Sequence, residues 1–192
     1  MTTSIFENLF VLELANNHWG KLERGLKIIS DFARVVRFND VHAAVKLQFR
    51  DVDSFIHHEF RGRSDVRYIK KTLDTQMPWE NLRAMVEAVR SAGMVTMVTP
   101  FDEVSVDKCV EFGVDILKIA SSDIRDKTLL AKIASAGLPV IASSGGADQE
   151  HKGPEPRELQ HRAHRRDVGA QIAEPHADAA GAARERHDLE ED

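Results

Sequence analysis

Lys46 and Gln48 stand two residues apart in the run AVKLQF, and Lys118 stands between Leu117 and Ile119 in DILKIASSD. Alternation along a strand turns Lys46 and Gln48 to one face and leaves Val45 and Leu47 on the other. One such lysine, taken alone, is as readily an ammonium reaching from a strand end into water. Two at corresponding places in different strand–helix units point to a shared pocket. Lysines so placed hold an anionic group such as phosphate, or form a Schiff base once burial lowers their pKa. Thr99, Ser121, Ser143 and Ser144 offer hydroxyls, and Asp123 and the Gly145-Gly146 turn lie beside them, which suits a phosphate or carboxylate cradle. Glu13, near the end of the apolar stretch LFVLEL, is the carboxylate expected to face that pocket. Its structural alternative is an ion pair with Lys46 or Lys118. Asn16, Asn17 and His18 follow, where turn residues can satisfy their own backbone.

The remaining chemistry-bearing types carry less. His57 and His58 fall in a polar stretch, and the histidines after residue 150 have no consistent ligand spacing, so no metal-ligand set is read. Cys109 sits in a helical pattern and reads as packing. Being the single cysteine, it excludes an internal disulfide framework and fits a reducing compartment. The net charge of -5 gives no electrostatic case for nucleic acid or an anionic membrane. The basic run from Arg61 to Lys71 is short and mixed with acids, as in a solvated loop. No apolar stretch approaches the roughly 20 residues of a membrane span, and the N-terminus has no secretory pattern. A cytoplasmic, soluble chain is expected.

The elements that must position these residues alternate regularly. Strands are expected at 9–14, 43–49, 94–101, 115–123 and 138–146. Helices are expected at 22–37, 79–93 (entered through Pro78), 105–113 and 127–137, with a long polar loop between the second strand and the second helix. Strand–helix repetition implies a parallel sheet. No Gly-x-Gly-x-x-Gly follows the first strand, which argues against a dinucleotide fold. Polar residues recur at the strands' C-terminal ends, where a (β/α) barrel gathers its chemistry. The expected fold is an α/β, TIM-type barrel spanning residues 1–147, cut short after about five strands.

Residues 148–192 differ in kind. They contain no aromatic residue and few large aliphatics, so they cannot bury enough apolar surface to offset their ordering entropy. A polar tail, disordered or irregular, is expected there.

Read in order, five motifs resemble the sialic acid synthase (N-acetylneuraminate synthase) family. ELANNHWG is similar to its Glu-Ile-Gly-x-Asn-His-x-Gly, and AVKLQF to its Val-Lys-x-Gln-Thr. VTPFD, LKIASSDI and PVIASSGGA are similar to its Ser-Thr-Pro-Phe, Lys-Ile-x-Ser-x-Glu/Asp and Pro-x-Ile-x-Ser-Thr-Gly-Met. This sequence has Leu14-Ala15 where Ile-Gly is usual, and Ser144-Gly145-Gly146 for Thr-Gly-Met. The resemblance covers residues 9–147.

It implies a transferase that condenses phosphoenolpyruvate with N-acetylmannosamine or a related amino sugar, giving a nine-carbon 2-keto acid and phosphate. It implies that Glu13, Lys46 and Lys118 are catalytic, with Asn17, Gln48, Thr99, Ser121, Asp123 and Ser143 binding substrate. A divalent metal, manganese or magnesium, is implied as cofactor, its histidine ligands lying on later strands of the family barrel. A homodimer is compatible with the family. Loss of the pattern after Ala147 suggests a frameshift or misjoined end, and hence a chain with little activity of its own. The alternatives are a Schiff-base aldolase barrel using Lys118, and a non-catalytic remnant of the synthase.

Overall fold

The computed structural model describes residues 4–60, 62–63 and 65–145. Five strands, β1 (Phe10–Ala15), β2 (Ala43–Phe49), β3 (Val95–Pro100), β4 (Ile116–Ile119) and β5 (Val140–Ala142), form one sheet in the order of the chain. Every neighbouring pair is parallel. The helices between them are α1 (Leu22–Asn39), α2 (Val52–Phe55), α3 (Arg67–Asp74), α4 (Trp79–Ser91), α5 (Glu103–Glu111) and α6 (Lys127–Ser135). A doubly wound sheet reverses its strand order partway, whereas strands added in one direction keep their helices on one side and curl towards a barrel. The described residues thus form the β1-to-β5 part of a TIM-type barrel.

The two faces of the sheet follow from strand alternation. Leu14, Val45, Leu47, Phe49, Val98, Leu117 and Ile119 pack in a single cluster with helix residues that include Ile29, Ala33, Met85, Val89, Cys109 and Ile133. Ala44, Met97 and Ile116 form a separate cluster, closed by Ile5, Phe6 and Leu9. The N-terminal segment therefore covers the apolar layer of the inner face. Two residues further along β2, β3 and β4, that face changes character to Lys46, Thr99 and Lys118. The Cys109 thiol is buried, which pushes its pKa up and makes it a packing group.

Three differences from the sequence reading have clear physical causes. The expected polar loop after β2 holds α2, a 3-10 turn at His58–Phe60 and the helix α3. Helix α3 is half charged and mostly exposed, so its helical spacing of Tyr68, Ile69, Thr72 and Leu73 is easily missed. A Lys70–Asp74 ion pair at 2.5 Å spans one of its turns. The basic run at Arg61–Lys71 is accordingly part helix. The strand expected at 115–123 stops at Ile119, because Ser121–Asp123 coils into a 3-10 turn. The strand expected at 138–146 shortens to Val140–Ala142, so Ser143 and Ser144 lie beyond it. Gly146, Ala147 and the expected polar tail lie outside the described residues.

Candidate functional site

At the C-terminal end of β1 the register slips between Glu13 and Ala15. Ala15 there has φ 46°, a left-handed conformation that costs an L-residue energy and suits glycine. This explains why the similar motif carries glycine at that place. The chain then turns through Asn16 to Gly20. A Cβ on Gly20, at φ +69°, would come 2.9 Å from the Gln76 carbonyl oxygen, so only glycine lets this turn rest on the chain after α3. His18 is 2% exposed within the turn, and its Nδ1 accepts the Gly20 N–H at 3.0 Å. Burial lowers its pKa from 6.5 to about 4, so the ring is neutral at pH 7.

Glu13 and Lys46 are register partners on adjacent strands and form an ion pair. The ion-pair alternative for Glu13 is therefore realised. The pair is asymmetric: the Lys46 side chain is 14% exposed and that of Glu13 46%, so the carboxylate keeps access to solvent. Lys118 is half-buried. Burial and the like charge of Lys46 lower its pKa, while Glu13 and Asp123 oppose that shift. Lys46, Glu13 and Asp123 therefore lie within electrostatic reach of Lys118.

Four buried side-chain polar atoms among the described residues have no hydrogen-bond partner, and three of them belong to this region: Thr99 Oγ1, Asp123 Oδ2 and Arg50 Nε. Folded proteins rarely leave such atoms unpaired, and these three lie at or just beyond the C-terminal ends of β2, β3 and β4. Asp123 uses its other oxygen to accept the Ser122 hydroxyl at 2.8 Å. A Cβ on Gly145 would come 2.5 Å from Ser121 Cβ, so the chain after β5 lies directly against the turn after β4. The Ser143 N–H donates to the Ile119 carbonyl at 3.0 Å, which holds those two loops together. Ser121 is exposed and Ser143 half-buried. Asn17 is exposed on the turn, and it is the neighbouring Asn16 that lines the cleft beside Gln48.

Sequence reasoning missed Arg50. The available signal was parity, because residues 46, 48 and 50 follow one another at strand spacing and the run of polar types continues past the strand's end. Its guanidinium lies 3.8 Å from the Phe101 ring centroid and 5.4 Å from that of Phe55. It also bonds the Tyr68 side chain and feels Asp123 and Asp102. Asp102 is otherwise committed: it accepts the Ser105 N–H at 2.7 Å as the cap of α5 and the Asp51 N–H at 2.8 Å. That pair of hydrogen bonds ties the end of β3 to the residue after Arg50.

The implied divalent metal does not fit what is described. Among the described residues no group of three or more His, Cys, Asp or Glu side chains is placed to hold one.

A parallel sheet wound in one direction, with two lysines gathered at its strand ends, defines part of a TIM-type barrel with a cationic C-terminal rim. The NeuB family model matches residues 39–156, and the chain belongs to that family. It is 38% identical to a spore coat polysaccharide biosynthesis protein E candidate from Chromobacterium violaceum, with TM-score 0.76, covering 81% of this chain and 46% of that one. Against N-acetylneuraminic acid (sialic acid) synthetase from Leptospira borgpetersenii, solved with citrate, identity is 26% and TM-score 0.65, covering 81% and 50%. A stretch of 62 residues is 42% identical to N,N'-diacetyllegionaminic acid synthase of Legionella pneumophila, covering 32% of this chain and 17% of that enzyme. The chain thus spans half or less of the length of each of these relatives.

Proposed function

We propose that this chain carries the substrate-activating half of a sugar-acid synthase, which joins phosphoenolpyruvate to N-acetylmannosamine or a related amino sugar. The observation that carries this reading is the Glu13–Lys46 pair beside the half-buried Lys118, with Thr99 Oγ1 and Asp123 Oδ2 left without partners. Membership of the NeuB family and likeness to a sialic acid synthetase support it.

In this reading Lys46 and Lys118 hold the carboxylate and phosphate of phosphoenolpyruvate, and Thr99, Ser121 and Ser143 donate hydrogen bonds to their oxygens. Gln48 and Asn17 contact the substrates from β2 and the first turn. The enol carbon then forms a bond to the sugar aldehyde carbon as the aldehyde C=O π bond breaks, and that oxygen takes a proton from solvent to become a hydroxyl. Water adds to the resulting cationic carbon, and phosphate leaves. Glu13, held by Lys46 but open to solvent, is the carboxylate that takes the proton from that water. Asp123 offsets the cationic charge next to Lys118. The enzyme is read as cytoplasmic, and as compatible with a homodimer. Among the described residues no helix is long and apolar enough to cross a membrane.

Calorimetry with phosphoenolpyruvate tests the cradle. Binding to the parent is expected, and Lys46→Ala or Lys118→Ala should each weaken it by about 1.5–3 kcal/mol, the worth of hydrogen bonds to charged groups. Equal affinity in parent and variants would remove the cradle. A second reading, a Schiff-base aldolase, draws on the lowered pKa of Lys118, which favours a neutral, nucleophilic amine. Borohydride trapping in the presence of pyruvate separates the two, since a reduced adduct on Lys118 forms only in an aldolase.

A further inference from the structure

We propose that Arg50 is a specificity-determining residue, and that with Asn16, Gln48, Thr72, Thr75 and Gln76 it forms a subsite for an oxyanion-bearing group on the sugar substrate. This rests on the function proposed above, because the subsite is placed beside the enol-acid cradle and shares Gln48 with it.

Those six residues, together with His18, line one cleft between β1, β2 and the chain around α3. Its polar lining consists of amides, hydroxyls, a histidine and one guanidinium. His18 stays uncharged at neutral pH, because burial takes its pKa to about 4 and its Nδ1 is occupied by the Gly20 N–H. Among the described lining residues, Arg50 is therefore the one that carries charge. Thr72 and Thr75 donate their hydroxyls to the Tyr68 and Lys71 carbonyls of α3, which leaves the amides of Asn16, Gln48 and Gln76 as the neutral donors around a single guanidinium, a match for a group with one strong anionic end and hydroxyls around it.

The guanidinium is also prepared for such a partner. Phe101 and Phe55 pack against it, the Tyr68 side chain bonds it, and the Asp102–Asp51 tie holds its backbone, so little freedom remains to be lost on binding. Yet Nε is buried and makes no hydrogen bond. A structural arginine of this kind would normally be closed by a carboxylate, and the two that it feels are otherwise arranged. Asp102 caps α5, and Asp123 lies towards Lys118 with an unpaired oxygen of its own. Lys46 is ion-paired to Glu13 and is not among the residues lining this cleft. The two cationic regions thus address two different groups.

The test is calorimetry on the full 192-residue chain with two probes, N-acetylmannosamine and its 6-phosphate, and with phosphoenolpyruvate as a third titrant. The phosphorylated sugar should bind the parent at least about tenfold tighter than the neutral one, the ratio of a single charge-assisted hydrogen bond. Arg50→Ala should erase that preference and leave phosphoenolpyruvate affinity within about twofold, while Lys118→Ala does the reverse. Arg50→Lys keeps the charge but loses the planar fork, so it should retain part of the preference. Circular dichroism melts of each variant separate lost binding from lost folding, and Arg50→Lys keeps the test open if Arg50→Ala unfolds. Equal or unmeasurable binding of both sugars to the parent overturns the subsite. A preference that survives Arg50→Ala also overturns it, as does a loss of phosphoenolpyruvate binding equal to that in Lys118→Ala. If the parent prefers the phosphorylated sugar through Arg50 but does not bind phosphoenolpyruvate, the subsite stands and the synthase reading falls.

Discussion

Lowering the pH from 7 to 4 should destabilise this protein through His18 by an amount that can be worked out in advance. The imidazole is 2% exposed and accepts the Gly20 N–H through Nδ1, so the fold needs it neutral. Protonation would bury a charge and set a donor against a donor. The folded state therefore takes up this proton only near pH 4, whereas the unfolded chain takes it near 6.5. Between those values the unfolded state binds more protons, and stability falls as pH falls. Above 6.5 the contribution is fully present, and below about 4 there is no further loss. The gap between 6.5 and about 4 amounts to about 3 kcal/mol at 1.36 kcal/mol per pH unit. With a urea m-value of about 1–3 kcal/mol/M, the midpoint should move down by about 1–3 M. Carboxylates titrate over the same range, so the measurement is a comparison. His18→Asn offers an oxygen close to where Nδ1 stands and does not titrate. Urea unfolding at pH 7, 5.5 and 4 should show the parent losing about 3 kcal/mol more than His18→Asn. Parallel losses in the two proteins would show that His18 is not held neutral by the fold, and the account of the first turn would fail.

Two further outcomes follow from backbone geometry and capping. Ala15→Gly should raise stability by about 0.5–1 kcal/mol, because relief of the left-handed penalty at φ 46° exceeds the entropy that glycine adds to the unfolded chain. An unchanged or lowered thermal midpoint would show that the bulge carries no strain. Asp102→Ala removes the acceptor of both the Ser105 and Asp51 N–H groups, and a loss of about 2–3 kcal/mol is expected, with Arg50 released as a consequence. Calorimetry should then show a weakened preference for the phosphorylated sugar even in molecules that remain folded, and an intact preference would separate the cap from the subsite.

Much of the scaffold was legible in the sequence because its signals are local. Alternating runs in AVKLQF and MVTMVTPF, helical spacing in LERGLKIISDFARVVR and the glycines after α4, α5 and α6 each name an element without reference to the rest of the chain. Strand parity also put Lys46, Gln48, Thr99 and Lys118 on the inner face, since a strand's two faces are fixed by counting. Tertiary structure alone decided what those side chains meet. That Glu13 pairs with Lys46, rather than with Lys118, depends on the register of β1 against β2, which no single strand encodes. Helix α3 escaped detection because it is held by packing beneath the first turn and by the Lys70–Asp74 ion pair, and its sequence is mostly polar. Arg50 was passed over for a related reason. An arginine just past a strand reads as solvated until the fold brings Phe101, Phe55 and Tyr68 around it from three other segments. Its burial is a property of that convergence, because the dielectric around a charge is set by neighbours distant in the chain.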